Sequence, residues 1–90
     1  MMGTRAERIE QALRAAFSPV ALEVMDESKR HASHAGRNGL PVGETHYAVT
    51  MVAESLRDLS RLERSRSVHE ALDAEFKSGL HALSLNLSAP

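Results

Sequence analysis

The stretch from Asp26 to Tyr47, DESKRHASHAGRNGLPVGETHY, limits the fold more than any other part of the chain. Gly36, Gly39, Pro41 and Gly43 punctuate it and prevent regular structure through its middle. Connections longer than about 12–15 residues are uncommon in compact domains, and are normally functional or disordered. Both ends of the stretch run into strand-like sequence. Val20 to Met25 alternates Leu22 and Val24 with Ala21 and Glu23. His46 to Ala53 sets Tyr47, Val49 and Met51 on one face and Ala48, Thr50 and Val52 on the other. Period-two alternation with β-branched residues suits a half-buried pleated surface. No crossover helix separates the two strands, so they are expected to pair as antiparallel neighbours.

The flanking segments carry helix signals. Thr4-Arg5-Ala6-Glu7 has the spacing of a capping box, in which the Thr side chain and the Glu carboxylate each satisfy a backbone N–H of the first turn. Ile9, Leu13, Ala16 and Phe17 then recur at helical spacing, with Ala12 in the same stripe. Ser18-Pro19 ends the helix, because proline disfavours the helical conformation in the residue before it. Glu54 to Leu59 reads as a turn with a short helical piece. Ser60-Arg61-Leu62-Glu63 repeats the capping-box spacing and starts a helix. Its apolar stripe is read as Leu62, His69, Leu72 and Phe76, with Val68 flanking. Arg64 to Ser67 is polar all round, which predicts a break there. Gly79 suits the residue just past the helix end. From His81 to Leu87 the chain alternates again, with Leu83, Leu85 and Leu87 on one face. The order is therefore α-β-β-α-α-β. Helix lies between the second and third strands, so if adjacent these are expected to be parallel, joined by a right-handed crossover. The expected fold is a single small α/β (α+β) domain over residues 1–90, with its core at about 5–87. Its sheet is three-stranded and mixed, with helices on one face.

Composition narrows function more than fold. Ninety residues at 42% hydrophobic content allow one thin core. The aromatics are only Phe17, Tyr47 and Phe76, which argues against a base-stacking platform. A formal net charge of −1 makes no whole-chain electrostatic case for nucleic acid. There is no cysteine, so this chain alone offers neither disulfides nor thiolate metal ligands. No signal peptide and no membrane span are read, and the expected compartment is the cytoplasm. Adjacent Asp26 and Glu27 lack an identifiable nucleophile or base at a defined spacing, so no enzyme activity and no catalytic residue are assigned.

The order of several short motifs resembles the BolA family. They are Asp26-Glu27-Ser28, His31, His34-Ala35-Gly36, Gly43-Glu44-Thr45-His46-Tyr47, the pair Arg64 and Arg66, and the closing Gly79-Leu80-His81-Ala82-Leu83. The resemblance runs from about Arg5 to Leu87. It implies a class II KH-like fold of the same element order. It further implies a partner, a monothiol glutaredoxin, and a bridging [2Fe-2S] cluster shared with that partner and glutathione. None is expected in the isolated chain, a monomer or weak dimer. Roles in iron–sulfur trafficking, iron sensing or DNA-binding transcriptional regulation of stress response and morphology follow from the same resemblance. Two departures stand out. The family's Arg-His-Arg triplet is here Arg64-Ser65-Arg66, and Leu56-Arg57-Asp58 stands where a Phe-x-Gly turn is common.

The resemblance singles out His81 as a candidate metal ligand, with His31 or His34 as the second. Imidazole can replace thiolate on one iron of a [2Fe-2S] cluster, as in Rieske centres. His46 is read instead as a hydrogen-bonding pin between loop and sheet, and His69 as packing. Arg64, Arg66, Gly79, Leu80, Ala82 and Leu83 form the expected docking face for glutaredoxin. The alternative, DNA binding, would use Arg57, Arg61, Arg64 and Arg66, although Glu54, Asp58 and Glu63 are interleaved with them. The only Gly-x-x-Gly spacing, Gly36 to Gly39, lies between the first two strands rather than between helices, which demotes RNA binding.

Overall fold

The computed structural model describes residues 4–27 and 45–90. Helix α1 spans Arg5–Phe17, and strands β1 and β2 span Ala21–Asp26 and His46–Val52. A 3-10 turn at Glu54–Leu56 follows, then helices α2 (Arg61–Ala71) and α3 (Asp73–Lys77), and strand β3 (Ala82–Ser88). The expected order is met, including the short helical piece after β2.

Both helix starts close as capping boxes. Thr4 Oγ1 accepts from the Glu7 N–H at 3.3 Å, and Glu7 Oε1 accepts from the Thr4 N–H at 2.8 Å. Ser60 and Glu63 repeat this at 3.1 and 2.8 Å. Each box satisfies two backbone donors that the first turn leaves orphaned. At the end of α1, Ser18 takes the left-handed conformation (φ 48°, ψ 55°) and donates to the Arg14 carbonyl at 3.0 Å. Pro19 after it forbids a further helical turn.

β2 is central. It pairs antiparallel with β1 and parallel with β3. The register aligns the apolar faces into rows across the sheet. Leu22, Met51 and Leu87 form one row, and Val24, Val49 and Leu85 the next. Against this face pack Ile9 and Leu13 of α1, Leu56 of the 3-10 turn, Val68 of α2 and Leu72 just beyond it, all at most 1% exposed. Each fully buried aliphatic side chain contributes roughly 1.5–3 kcal/mol relative to an exposed one, so these few residues hold the layers together.

Helix α2 departs from the expected pattern in two ways. It does not break at Arg64–Ser67 but runs unbroken to Ala71 and gives way at Leu72 (φ −104°, ψ 16°). Leu62 is 58% exposed, while Val68, expected only to flank the stripe, is fully buried. At about 100° per residue, Leu62 sits roughly 120° around the axis from Val68, off the buried line. The polar segment survives because Arg64 fastens it from the side. Its Nε donates to the Leu56 carbonyl at 2.9 Å and its Nη1 to the Leu87 carbonyl at 3.3 Å. Hydrogen bonds there do what apolar contacts do further along the helix.

Candidate functional site

The site begins with the register of two parallel strands. His46 is the first residue of β2 and aligns with Ala82, the first of β3. The residue before each, Thr45 and His81, therefore meets its counterpart at the sheet end. The Thr45 carbonyl accepts from the His81 N–H at 2.8 Å and from the Ala82 N–H at 3.0 Å. On the other side, the His46 carbonyl accepts from the Glu27 N–H at 2.8 Å, which continues the β1 pairing. His46 is thus held on the central strand from both neighbours.

This arrangement brings the His46 and His81 rings to a centroid separation of 5.3 Å, tilted by 54°. The two residues have opposite pleat parity. They can still converge because His81 precedes β3 and is not held to its pleat. His81 is exposed and His46 half-buried. His46 Nδ1 lies 2.9 Å from Thr45 Oγ1. Which of the two donates in that bond depends on the imidazole tautomer. Among the described residues, no group of three or more His, Cys, Asp or Glu side chains converges as a metal site.

The turn that carries His81 is fixed from behind. Ser78 caps the end of helix α3, and Gly79 follows at φ 128°. The Leu80 N–H reaches the Glu75 carbonyl at 2.9 Å and the Gly79 N–H the Phe76 carbonyl at 3.4 Å. These are the two bonds of a Schellman motif. Glycine serves here twice over. A side chain is strained at this φ, and an added Cβ would stand 3.2 Å from Arg5 Nη2.

That arginine belongs to a buried ion cluster that the motifs did not reveal. Arg5 and Glu75 are only 8% and 9% exposed. Arg5 Nη1 donates to Glu75 Oε1 at 2.9 Å, to the Glu75 carbonyl at 3.0 Å and to Ser78 Oγ at 2.8 Å. Arg8 Nε donates to the same carboxylate at 3.0 and 3.2 Å. One carboxylate and two guanidiniums thus clamp the start of α1 to the end of α3, directly behind the Gly79–His81 turn. The only hint in the sequence was that Arg5 and Arg8 lie three apart on one helix face.

The other singled-out residues are placed as follows. His31, His34 and the Gly36–Gly39 spacing lie outside the described residues. Leu80 is 4% exposed and contributes its side chain to the core, so a partner can meet only its backbone. Gly79 and Ala82 are exposed and Leu83 is half-buried. His69 is exposed, and its ring stacks on Phe76 at 5.0 Å and 15°. Arg64 is engaged with the Leu56 and Leu87 carbonyls, as above. Arg57 pairs with Glu54 and donates to the Pro90 carbonyl. Its guanidinium, hydrogen-bonded to Glu54, holds that carboxyl below the usual 4.5. Arg61 and Arg66 are exposed. Arg61 and Arg64 border a groove of about 310 Å³, together with Ser65, Leu85, Asn86 and Leu87.

Fold and site together define a small α+β domain that sets two imidazoles side by side at one end of a mixed sheet. The chain belongs to the BolA-like protein family, whose model matches residues 13–90. It is 42% identical over 80 residues to the DNA-binding transcriptional regulator BolA of Escherichia coli (strain K12), covering 89% of this chain and 70% of that protein. It is also 40% identical over 91 residues to SufE-like protein 1 and 37% over 86 residues to Protein BOLA1, both of Arabidopsis thaliana. The match covers 99% and 96% of this chain but spans 24% and 54% of those two proteins. Among solved structures, BolA1 from Arabidopsis thaliana matches with a TM-score of 0.86 at 36% identity, covering 100% of this chain and 96% of that one. The BolA domain of SufE1 from the same organism matches at 0.84 and 38%, covering 100% and 96%. Among the described residues, no helix is long and apolar enough to cross a membrane.

Proposed function

We propose that this protein is an adaptor that pairs with a monothiol glutaredoxin and shares a bridging [2Fe-2S] cluster with it, in iron–sulfur trafficking or iron regulation. One observation carries the reading: the exposed His81 ring stands beside a second imidazole on a turn pinned to the sheet and clamped from behind. The donor set fits a half-site. Four ligands are needed, this chain has no thiol, and imidazoles can serve one iron while a partner's cysteine and glutathione serve the other. When bound, the cluster would supply a transferable iron–sulfur unit, more labile than one held by four thiolates. His81 would ligate with its ring, with His31 or His34 as the second donor that the family resemblance suggests. Gly79 and Ala82, exposed on either side of Leu80 and His81, would receive the partner's surface.

The test is anaerobic co-purification with a monothiol glutaredoxin. A heterodimer with the visible absorption of a [2Fe-2S] cluster is expected, and His81→Ala should shift or bleach it. An unchanged spectrum in that variant would remove His81 from the ligand set.

The Escherichia coli relative's name favours a second reading, DNA binding. Arg61 and Arg66, exposed arginines of α2, would contact phosphate. Binding to duplex DNA should then weaken steeply with salt, and further in Arg66→Ala. No binding at moderate salt would sink this reading.

A further inference from the structure

We propose that the outer edge of β3, with the groove between it and α2, docks an extended acidic segment of a partner protein, which adds a fourth strand to the sheet. This concerns another part of the surface than the cluster-sharing reading and does not depend on it. β3 is the last strand of the sheet and pairs with β2 on one side. In an extended strand the N–H and carbonyl of one residue point the same way, and those of the next residue point the other way. The Ala82 N–H donates to the Thr45 carbonyl at 3.0 Å, and the Ser88 carbonyl accepts from the Ala53 N–H at 2.9 Å. Ala82, Ser84, Asn86 and Ser88 therefore face β2, while Leu83, Leu85 and Leu87 turn their backbone groups outward. Arg64 Nη1 reaches the Leu87 carbonyl from that outer side. The three leucine N–H groups, and the Leu83 and Leu85 carbonyls, have no hydrogen bond among the described residues. Proteins normally guard such an edge with charge or proline. The opposite edge strand, β1, carries Glu23 and Asp26, with Pro19 just before it. β3 carries neither a charge nor a proline.

The groove beside this edge decides what kind of strand fits. Half-buried Leu85 and Leu87 form its floor, and Arg61, Arg64 and Ser65 of α2 its wall. Every second side chain of an added strand falls on the helix side of the sheet, over this groove. Arg61 is exposed and makes no ion pair or hydrogen bond among the described residues, and Arg64 meets carbonyls but no carboxylate. None of the residues lining the groove is acidic. Alternate carboxylates on the incoming strand complement this wall, while its backbone completes the ladder. A second copy of the chain fits poorly. Two β3 strands paired antiparallel about a two-fold axis would put both helix layers on one face and set Arg61 and Arg64 of one copy against those of the other. A nucleic acid would meet the arginines but leave the outward amides and the leucine floor unmatched.

Nuclear magnetic resonance of the isotope-labelled chain tests this with a synthetic octapeptide of alternating glutamate and valine. Hydrogen exchange at the Leu83, Leu85 and Leu87 amides should slow as the peptide is added. The Ala82, Ser84, Asn86 and Ser88 amides, which already face β2, should change little. Arg61→Glu should weaken binding about tenfold, because it sets like charges face to face. A peptide with lysine in place of glutamate should not bind, nor should a copy with every backbone nitrogen methylated. Equal binding of the methylated copy would mean that charge alone holds the peptide, and overturns the strand pairing. Protection of the three leucine amides that rises with chain concentration, without peptide, assigns the edge to a second copy and overturns the acidic partner. A duplex DNA fragment that shifts the groove resonances, where the peptide leaves them unmoved, overturns it in favour of nucleic acid. Matching amide spectra away from the groove in Arg61→Glu separate lost binding from misfolding.

Discussion

The two ends of the central strand handle their polar groups in opposite ways. At its start, β2 carries His46 beside His81, an exposed ring on a turn whose N–H groups from Gly79 to Ala82 are all hydrogen-bonded. Past its end, two of the four arginines that look available in the sequence are engaged. Arg64 holds two backbone carbonyls and Arg57 holds Glu54 and the Pro90 carbonyl. Half of the densest run of basic residues is therefore fastening. The sparser histidine end combines a hydrogen-bonded backbone with an exposed ring. Charge density along a chain does not measure how many charges remain free to meet a partner.

The largest effect should come from the clamp behind the histidine end. Glu75→Ala leaves Arg5 buried without its carboxylate, and removing one partner of a buried pair costs about 3–5 kcal/mol. Urea denaturation should report a loss of about 3 kcal/mol, and hydrogen exchange should show faster exchange at the His81 and Ala82 amides. A loss confined to global stability, with those amides unchanged relative to the rest of the sheet, would separate the clamp from the site.

Gly79→Ala comes next. Left-handed backbone costs a non-glycine residue about 1–2 kcal/mol, and the new methyl meets the clamped Arg5 at 3.2 Å. A midpoint shift equivalent to about 2 kcal/mol is expected, again with loosening of the His81 turn. A neutral outcome would mean that the turn is less constrained than its hydrogen bonds imply.

At the opposite end, Arg64→Ala should cost about 1.5 kcal/mol, since hydrogen bonds to a charged donor at partly buried carbonyls contribute about 1.5–3 kcal/mol. Equilibrium unfolding checks this directly. An unchanged stability, combined with lost partner binding, would move Arg64 from fastening to docking and erase the contrast between the ends.

The smallest effect belongs to the exposed Arg57–Glu54 pair. Arg57 lowers the Glu54 pKa, so the pair contributes stability that is present above the ordinary value of 4.5 and lost as pH falls through the lowered one. Thermal unfolding of Arg57→Gln should differ slightly from the parent near neutral pH. The difference should vanish in acid and shrink with added salt, because the pair lies in solvent.

The element order and the sheet faces were legible in the residues, because alternation and capping boxes are local signals. Tyr47, Val49 and Met51 needed only their own spacing to be placed on one face, which the structure buries. The interior of α2 was harder. Leu62 looked apolar enough to be buried, and the polar run after it looked like a break. What decides both is the position of β3 and the 3-10 turn, whose carbonyls Arg64 reaches. His46 was read as a pin, and it does hydrogen-bond locally. Its nearness to His81 follows from parallel register, which joins residues thirty-five positions apart (46 and 81) and leaves no mark in either segment. The Arg5–Glu75 pairing spans seventy positions and is equally silent.

By itself the sequence determined the secondary-structure order, the half-buried faces, the glycine at the end of α3 and the resemblance to a family. Each of these depends on residues within one or two turns of one another, or on motifs in linear order. Only the tertiary structure decided which polar groups are engaged and which imidazoles meet. Those outcomes depend on three-dimensional distance, which strand register and helix docking set without reference to sequence separation. His46 and His81 meet because two parallel strands begin at the same level, and the clamp of Arg5, Arg8 and Glu75 holds the turn that brings the second of them there.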